Sequence, residues 1–186
     1  MIECSTNFQW RHIMPIQRLN HAVLFISNLT ASVAFYQNVL GFRTVHEIPG
    51  QAAFLQAAGS TNDHDLGLFA IGSKASPSQA GHGMVGLYHL AWEVDTLDEL
   101  ARIQQALRDA HALVGASDHG TTIALYAKDP DGIEFEVSWL LPLDLITDDI
   151  RVQGMTTRHL DLDRAIAAYG RFTKGGIGVS TPAPAI

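Results

Sequence analysis

Two histidines occupy equivalent positions in two similar stretches of this chain. His21 and His89 are each the third residue of a Leu-x-His sequence, and adding 68 to the first position gives the second. Because neutral imidazole is the commonest metal ligand, a pair at duplicated positions predicts a metal site. A single interior histidine is more often a hydrogen-bonded core residue, and that alternative applies to each one taken alone.

A carboxylate could complete such a site, and the segment after residue 128 offers two. The sequence D-P-D-G at 129–132 is a turn signal that starts a final strand. Glu134 and Glu136 both lie on one face of that strand, because side chains two apart share a face. An interior glutamate needs a cationic partner, since an unpaired buried carboxylate costs several kcal/mol. The alternative is that both glutamates face water on an edge strand.

Both histidines open a strand in a pattern of elements that occurs twice. The first copy has a strand, a helix and three strands, at 18–26, 30–40, 42–48, 51–57 and 65–71. The second copy repeats this order, with strands at 87–94, 113–117, 121–128 and 133–140 and a helix ending near 110. This duplication predicts an α+β fold whose paired βαβββ modules form a curved, partly open mixed β-sheet around the metal site.

The duplicated region occupies only part of the chain. We predict an N-terminal extension (1–17), a central domain (18–142) and a C-terminal tail (143–186). The central domain divides into repeat one, a linker rich in Gly, Ser and Pro, and repeat two, at 18–72, 73–86 and 87–142. The tail is acidic and contains one short predicted helix near 160–169. Its last residues, from 175 onward, lack periodicity and are expected to be disordered or on the surface, and we assign the tail no chemistry.

Composition excludes several classes of partner. The formal net charge is −7, with 19 acidic and 12 basic residues, and no basic block is available to neutralise phosphates. This disfavours nucleic acid and anionic membranes as partners. No apolar run is long enough to span a bilayer, and the N-terminus does not read as a secretory signal. Cys4 is the single cysteine, which excludes an internal disulfide and fits a reducing cytosol. We therefore expect a cytoplasmic protein.

These motifs resemble those of the vicinal oxygen chelate superfamily, which includes glyoxalase I, fosfomycin-resistance thiol transferases, bleomycin-resistance proteins and extradiol dioxygenases. The resemblance covers residues 19–140, both repeats. In that family the metal ligands come from the first strand of each repeat and from the strand after D-P-D-G. The resemblance therefore implies that His21, His89 and Glu136 are the ligands, with Glu136 four residues past Gly132. Glu134 matches no ligand position.

A narrower resemblance points to one branch of the superfamily. The sequence DHDLGL at 63–68 resembles a segment of extradiol ring-cleaving dioxygenases, and it places His64 at their acid–base histidine. The sequence DHGTTIALYAKDPDG at 118–132 is similar to another of their segments, and it matches His119 and Tyr126 to residues that contact substrate and oxygen. Asp63 departs from the pattern, because a histidine is commoner at that position.

The ligand count separates this branch from its neighbours. Subtracting 68 from Glu136 gives Leu68, so repeat one offers no matching carboxylate, whereas glyoxalase-type sites take four protein ligands. Two histidines and one carboxylate form the facial triad of Fe(II) oxygenases. The sequence thus predicts an Fe(II)-dependent extradiol dioxygenase that cleaves a catechol-type aromatic diol with O₂. A homo-oligomer is expected, because small open sheets often pair with a copy of themselves.

Two alternatives stay open. The first is a lyase, isomerase, epimerase or thiol transferase of the same superfamily that uses Zn(II), Ni(II) or Mn(II). It accounts for the three ligands and leaves His64, His119 and Tyr126 without a role. The second is a metal-free protein that binds a small drug, and such a protein has no need of intact ligands.

Overall fold

Two strand–helix–three-strand units form most of the structure, a computed structural model that describes residue 16 and residues 18–153 and 156–176. The first unit comprises β1 (Ala22–Ile26), α1 (Leu29–Asn38), β2 (Arg43–Ile48), β3 (Ala52–Gln56) and β4 (Leu66–Ala70). The second comprises β5 (Leu90–Glu93), α2 (Leu97–Asp109), β6 (Leu113–Asp118), β7 (Thr122–Lys128) and β8 (Glu134–Leu140). The predicted α+β class and the paired βαβββ modules are confirmed.

The tail adds further elements to the second unit. A short 3₁₀ helix is followed by α3 (Asp148–Gln153), β9 (Arg158–His159) and α4 (Leu162–Tyr169). The predicted helix near 160–169 is confirmed as α4, whereas no sequence pattern predicted β9. The N-terminal extension, residue 16 aside, and residues 177–186 of the aperiodic C-terminal stretch lie outside the described residues. In the part of the chain that is described, no helix is long and apolar enough to cross a membrane.

The strands form two mixed sheets with related topology. The first sheet has the order β1-β4-β3-β2, and the second has the order β5-β8-β7-β6-β9. In each sheet the first strand of the unit runs parallel to the last, and the other neighbours are antiparallel. Strands β1 and β5 are therefore edge strands, and His21 and His89 immediately precede them.

Helix caps and a helical apolar stripe explain how each unit folds locally. The Asn28 side chain accepts a hydrogen bond from the backbone N–H of Ala31, and the Thr96 hydroxyl accepts one from Glu99. Each such cap stabilises its helix by about 1 kcal/mol. The buried residues of α2 recur at helical spacing and face the second sheet: Leu97, Leu100, Ile103 and Leu107.

Each sheet buries one face and leaves the other open. In the first unit, Leu24 and Ile26 point into the core while Val23 and Phe25 are exposed, as strand alternation requires. His21 shares the open face with Val23 and Phe25. The core of the second unit includes Leu125, Phe135, Val137 and Trp139, all at most 2% exposed.

Helix α1 packs the first unit against the second. The rings of Phe35 and Phe135 lie 6.0 Å apart, and those of Phe42 and Trp92 lie 5.1 Å apart, both in edge-to-face arrangements. Because Phe35 of α1 and Val39, the residue that caps its C-terminus, both pack in the second core, the two units share one apolar interface. They are therefore joined through the helix and not through a ladder between β1 and β5.

The D-P-D-G turn also crosses between the units. The Asp129 side chain accepts hydrogen bonds from the backbone N–H groups of Asp131 and Ile133, which fixes the turn. Its other oxygen accepts the Tyr36 hydroxyl at 3.1 Å, and Asp131 accepts the backbone N–H of Ser27 at 3.0 Å. The turn that starts β8 is thus held against the first unit.

Candidate functional site

His89 and Glu136 come together on the open face of the second sheet. Strands β5 and β8 are parallel with Ala91 opposite Glu136, and His89 is two residues before Ala91 on the same face. The Nε2 atom of His89 lies 3.4 Å from a carboxylate oxygen of Glu136. Both side chains are largely buried, at 26% and 12% exposed. The structure therefore brings together two of the three predicted ligands.

The chemistry of this pair fits a divalent cation. Adjacent nitrogen and oxygen ligands at about 2.1 Å from one ion are about 3 to 3.5 Å apart, which agrees with the observed spacing. The Nδ1 atom of His89 is buried, and none of the described residues hydrogen-bonds it. With Nδ1 carrying the proton, Nε2 would present its lone pair toward Glu136, as a metal ligand must.

Tyr126 lies directly beside this pair. It is opposite Glu136 in the β7–β8 ladder, and in an antiparallel pair opposed residues share a face. Its ring centroid is 5.9 Å from that of His89. Burial and the nearby Glu136 carboxylate raise the pKa of Tyr126 to about 12. The phenol therefore keeps its proton at neutral pH and can donate a hydrogen bond.

His119 extends the cluster from the end of β6. Its Nε2 atom lies 2.9 Å from the Tyr126 hydroxyl, and its Nδ1 atom lies 2.9 Å from the backbone carbonyl oxygen of Thr156. The Thr157 hydroxyl is 3.4 Å from the same Nδ1. Sequence reasoning brought His119 and Tyr126 together but missed Thr156, because a backbone carbonyl in a region without a motif leaves no signal.

The remaining two predicted residues meet on the first sheet. The rings of His21 and His64 have centroids 4.6 Å apart and are tilted by 40°. His21 is exposed, and its Nδ1 lies 2.8 Å from the Asn20 side-chain oxygen. His64 contacts the edge of Phe54, with centroids 5.2 Å apart, and approaches Asp63 at 3.3 Å.

The two clusters do not join within one chain. Across the described ranges, no hydrogen bond, ion pair or ring contact links His21 to His89 or Glu136, and no three His, Cys, Asp or Glu residues form a group able to hold a metal ion. The six predicted residues thus lie in two half-sites. Half-site one contains His21 and His64; half-site two contains His89, Glu136, His119 and Tyr126. Their roles stay predictions.

A separate cavity of about 410 Å³ lies at the carboxyl ends of β1 and β4, between the linker and the D-P-D-G turn. Its lining includes Phe25, Ile71 and Asp131 and none of the six predicted site residues. His21 precedes the opposite end of β1. The chemistry of the half-sites is therefore not located in this cavity.

Comparison with known families agrees with this architecture. The model of the Glyoxalase/Bleomycin resistance protein/Dioxygenase superfamily matches residues 18–137, more than half of the chain. The chain belongs to this superfamily. The resemblance inferred from the duplicated Leu-x-His and D-P-D-G motifs is thereby confirmed.

The curated relatives of this superfamily member include enzymes of two reaction classes. The chain is 32% identical over 143 residues to the biphenyl-2,3-diol 1,2-dioxygenase 3 of Rhodococcus globerulus, covering 75% of this chain and 73% of the relative. It is 30% identical over 122 residues to a lactoylglutathione lyase of Neisseria meningitidis serogroup A, covering 64% and 88%. Sequence similarity alone does not separate the two reactions.

Solved structures show the same fold at lower identity. A glyoxylase/bleomycin resistance protein/dioxygenase domain from Frankia sp. EAN1pec superimposes with a TM-score of 0.57 at 19% identity. The match covers 67% of this chain and 92% of that chain. This similarity supports the fold and carries no conclusion about the reaction.

Proposed function

We propose that this chain is an Fe(II)-dependent extradiol dioxygenase that cleaves a catechol-type ring with O₂. The observation that carries the proposal is the hydrogen-bonded His119–Tyr126 pair beside His89 and Glu136. A phenol and an imidazole next to the ligands can bind and orient an aromatic diol and move protons at its hydroxyls. The dioxygenase relative at 32% identity supports the same reaction class.

The proposed metal site takes His21, His89 and Glu136 as ligands. Two imidazoles and one carboxylate form the donor set of Fe(II) oxygenases and leave positions for substrate and oxygen. Iron held by these residues would supply the redox chemistry that O₂ requires, which the protein side chains lack. Mn(II), Zn(II) and Ni(II) are the alternatives for the same donors.

His64 is proposed as the general acid–base group. The pKa of an ordinary imidazole lies near neutral pH, so it can take a proton from a substrate hydroxyl and return it later. His64 is partly buried and contacts both His21 and Phe54. It is thus close to a proposed ligand and to an aromatic side chain that can pack on a substrate ring.

We further propose that a second copy of the chain completes each site. Among the described strands, β1 and β5 each lie at a sheet edge with one side unpaired, and exposed apolar side chains flank both half-sites. Val23 and Phe25 are 51% and 69% exposed beside His21, and Leu87 and Tyr88 are 52% and 72% exposed beside His89. Such edges are normally covered, because they otherwise promote aggregation.

Pairing β1 of one copy with β5 of the other covers these edges. It gives two equivalent sites, as two-fold symmetry requires. Each site takes His21 and His64 from one copy and His89, Glu136, His119 and Tyr126 from the other. The homo-oligomer expected from the sequence is then needed for function.

A lactoylglutathione lyase-type reaction is the second candidate, supported by the relative that matches over 88% of its length. A fourth protein ligand from β4 would favour it. Leu68 is fully buried on the core face of the first sheet, so it cannot reach the site, and Gly67 on the open face has no side chain. The described geometry of β4 therefore favours three ligands and the dioxygenase.

Parallel assays separate the two candidates. Chain loaded with Fe(II) under argon is mixed with biphenyl-2,3-diol and a panel of simpler catechols, and air is then admitted. The proposal predicts ring-opened product only after air enters, and only with iron. Chain loaded with Zn(II) or Ni(II) is tested in parallel for isomerisation of a thiol–aldehyde adduct. Isomerisation there, with no catechol consumed by the iron form, would make the lyase reading correct.

A further inference from the structure

In the described part of the C-terminal tail, the residues around Thr156 contact His119 of the candidate site. The superfamily match ends at residue 137, and the tail lies beyond it. The tail nevertheless places the Thr156 carbonyl oxygen 2.9 Å from His119 Nδ1. We propose that this segment is a positioning element, which holds the proton of His119 on Nδ1 and so directs the Tyr126 hydroxyl toward His119. The catalytic importance of this arrangement rests on the proposed dioxygenase function.

The hydrogen-bond chemistry allows one arrangement of neutral His119. A carbonyl oxygen can only accept, so Nδ1 must carry the hydrogen that bonds Thr156. The Nε2 atom of the neutral ring then has a lone pair, and its neighbour at 2.9 Å is the Tyr126 hydroxyl. Tyr126 is therefore the donor and His119 the acceptor in that contact.

The direction of this hydrogen bond matters for Glu136. The phenol of Tyr126 has a single proton and lies within hydrogen-bonding reach of both His119 and the Glu136 carboxylate, so it can donate to only one of them at a time. With the proton of His119 on Nε2 instead, His119 would donate to the phenol oxygen, and Tyr126 would donate to Glu136. That bond would compete with cation binding for a carboxylate oxygen. The Thr156 carbonyl avoids this competition by fixing the tautomer.

The position of the Thr156 carbonyl is set by pairing within the second sheet. Strand β9 extends the sheet antiparallel to β6, with Asp118 opposite Arg158 and an ion pair of 3.6 Å between them. Leu160, which follows β9, is buried in the core of the second unit. Because His119 directly follows Asp118, the ladder that aligns β9 also aligns Thr156 with the imidazole.

The tautomer can be read directly in the full-length chain. Imidazole nitrogen shifts are measured by NMR on protein labelled with ¹⁵N-histidine at a pH where His119 is neutral, and the His119 signals are assigned by their loss in His119→Gln. The proposal predicts a protonated-type Nδ1 and an unprotonated Nε2. A proton on Nε2, or averaging between the two tautomers, would overturn it.

A backbone substitution tests whether the carbonyl sets this state. Replacing the amide between residues 156 and 157 by an ester weakens the carbonyl as an acceptor without changing a side chain. We expect the Nε2-protonated form of His119 to appear, and kcat for ring cleavage to fall by roughly tenfold or more with KM unchanged. Thr157→Val removes the hydroxyl 3.4 Å from Nδ1 and keeps the carbonyl, so it serves as the matched control and should keep the original tautomer.

The NMR result is independent of activity, so the two proposals can fail separately. An Nδ1-protonated ring in a chain that does not cleave catechols would leave the positioning role standing and refute the dioxygenase. An unchanged tautomer and unchanged kcat in the ester variant, with ring cleavage in the unmodified chain, would refute the positioning role alone.

Discussion

Tyr126 lies between two groups that can each use its hydroxyl, His119 at 2.9 Å and the carboxylate of Glu136 opposite it in the ladder. Its raised pKa keeps it a donor at neutral pH. At the scale of single residues, half-site two is thus a continuous set of contacts from Thr156 to His89. Half-site one adds two imidazoles in ring contact.

Removing the Tyr126 hydroxyl tests its role in the reaction. Tyr126→Phe deletes one donor and little volume, so ligand geometry is kept. We expect kcat to fall by roughly ten- to a thousandfold, the usual effect of losing one positioned hydrogen-bonding group, with metal content unchanged. Steady-state kinetics and metal analysis measure both. Wild-type turnover in this variant would remove the support for the dioxygenase reaction.

Removing the imidazole of His89 tests the metal assignment. His89→Ala is expected to lose most of its bound metal while the chain stays folded, because one of the three proposed ligands is deleted. Elemental analysis after dialysis measures occupancy, and circular dichroism measures folding. His82→Ala, an exposed histidine in the linker, is the control and should retain wild-type occupancy. Full occupancy in His89→Ala would contradict the site.

At the scale of elements, the D-P-D-G turn has two structural tasks. It starts β8, which carries Glu136, and it binds the first unit through Tyr36 and Ser27. Burial raises the pKa of Asp129, although backbone N–H donors and the Tyr36 hydroxyl favour its charged form. The inter-unit contact therefore depends on a buried carboxylate that needs its phenol partner.

Tyr36→Phe should weaken this contact in a pH-dependent way. Loss of the donor leaves a buried carboxylate oxygen unsatisfied, which should lower the free energy of unfolding by about 1 to 3 kcal/mol at neutral pH. Because Asp129 has a raised pKa in the folded state, the native state binds its proton more tightly than the unfolded state does. The free-energy cost of burying the charged carboxylate is therefore relieved as the pH falls through that pKa.

The difference in the free energy of unfolding between wild type and Tyr36→Phe should therefore become smaller in acid. Urea unfolding at neutral and mildly acidic pH measures the difference. Thr30→Val is the control, because it removes an exposed hydroxyl from the same helix α1, and it should leave the free energy of unfolding unchanged at both pH values. If Tyr36→Phe lowered the free energy of unfolding equally at the two pH values, Asp129 would not titrate in the native state over this range.

Sequence periodicity predicted the elements more fully than their assembly. The alternating strands and the capped helices follow from local patterns, so the bounds of β7 and β8 differ from expectation by one residue at most. The His89–Glu136 pair also follows, because both residues have fixed positions on neighbouring strands. The placement of His21 does not follow, since the packing of the two units depends on contacts such as Phe42 with Trp92 that have no motif.

At the scale of the whole molecule, the separation of the half-sites and the exposed edges have one common explanation. Helix α1 packs the two units together, while β1 and β5 lie at the edges of the described sheets with apolar side chains exposed beside them. A second copy paired at these edges would cover the apolar surface and bring one half-site of each kind together.

Mixed oligomers test this arrangement. His21→Ala and Glu136→Ala chains are each expected to be inactive. The two variants are co-expressed with different affinity tags, and the hetero-oligomer that carries both tags is purified. One of its two shared sites contains both substitutions and the other contains neither. The hetero-oligomer should therefore regain about half of the wild-type metal content and activity. No recovery in the purified mixed species would place all three ligands within one chain.

The proposed dioxygenase reaction uses O₂ as a substrate and cleaves the aromatic ring, and isotope labelling tests both properties together. Iron-loaded chain is supplied with a catechol under heavy-isotope O₂, and the product is quenched quickly and examined by mass spectrometry. An extradiol dioxygenase should give a ring-opened product that contains both atoms of one labelled O₂ molecule. A product without label, or no catechol consumption by a chain that isomerises a thiol–aldehyde adduct, would contradict it.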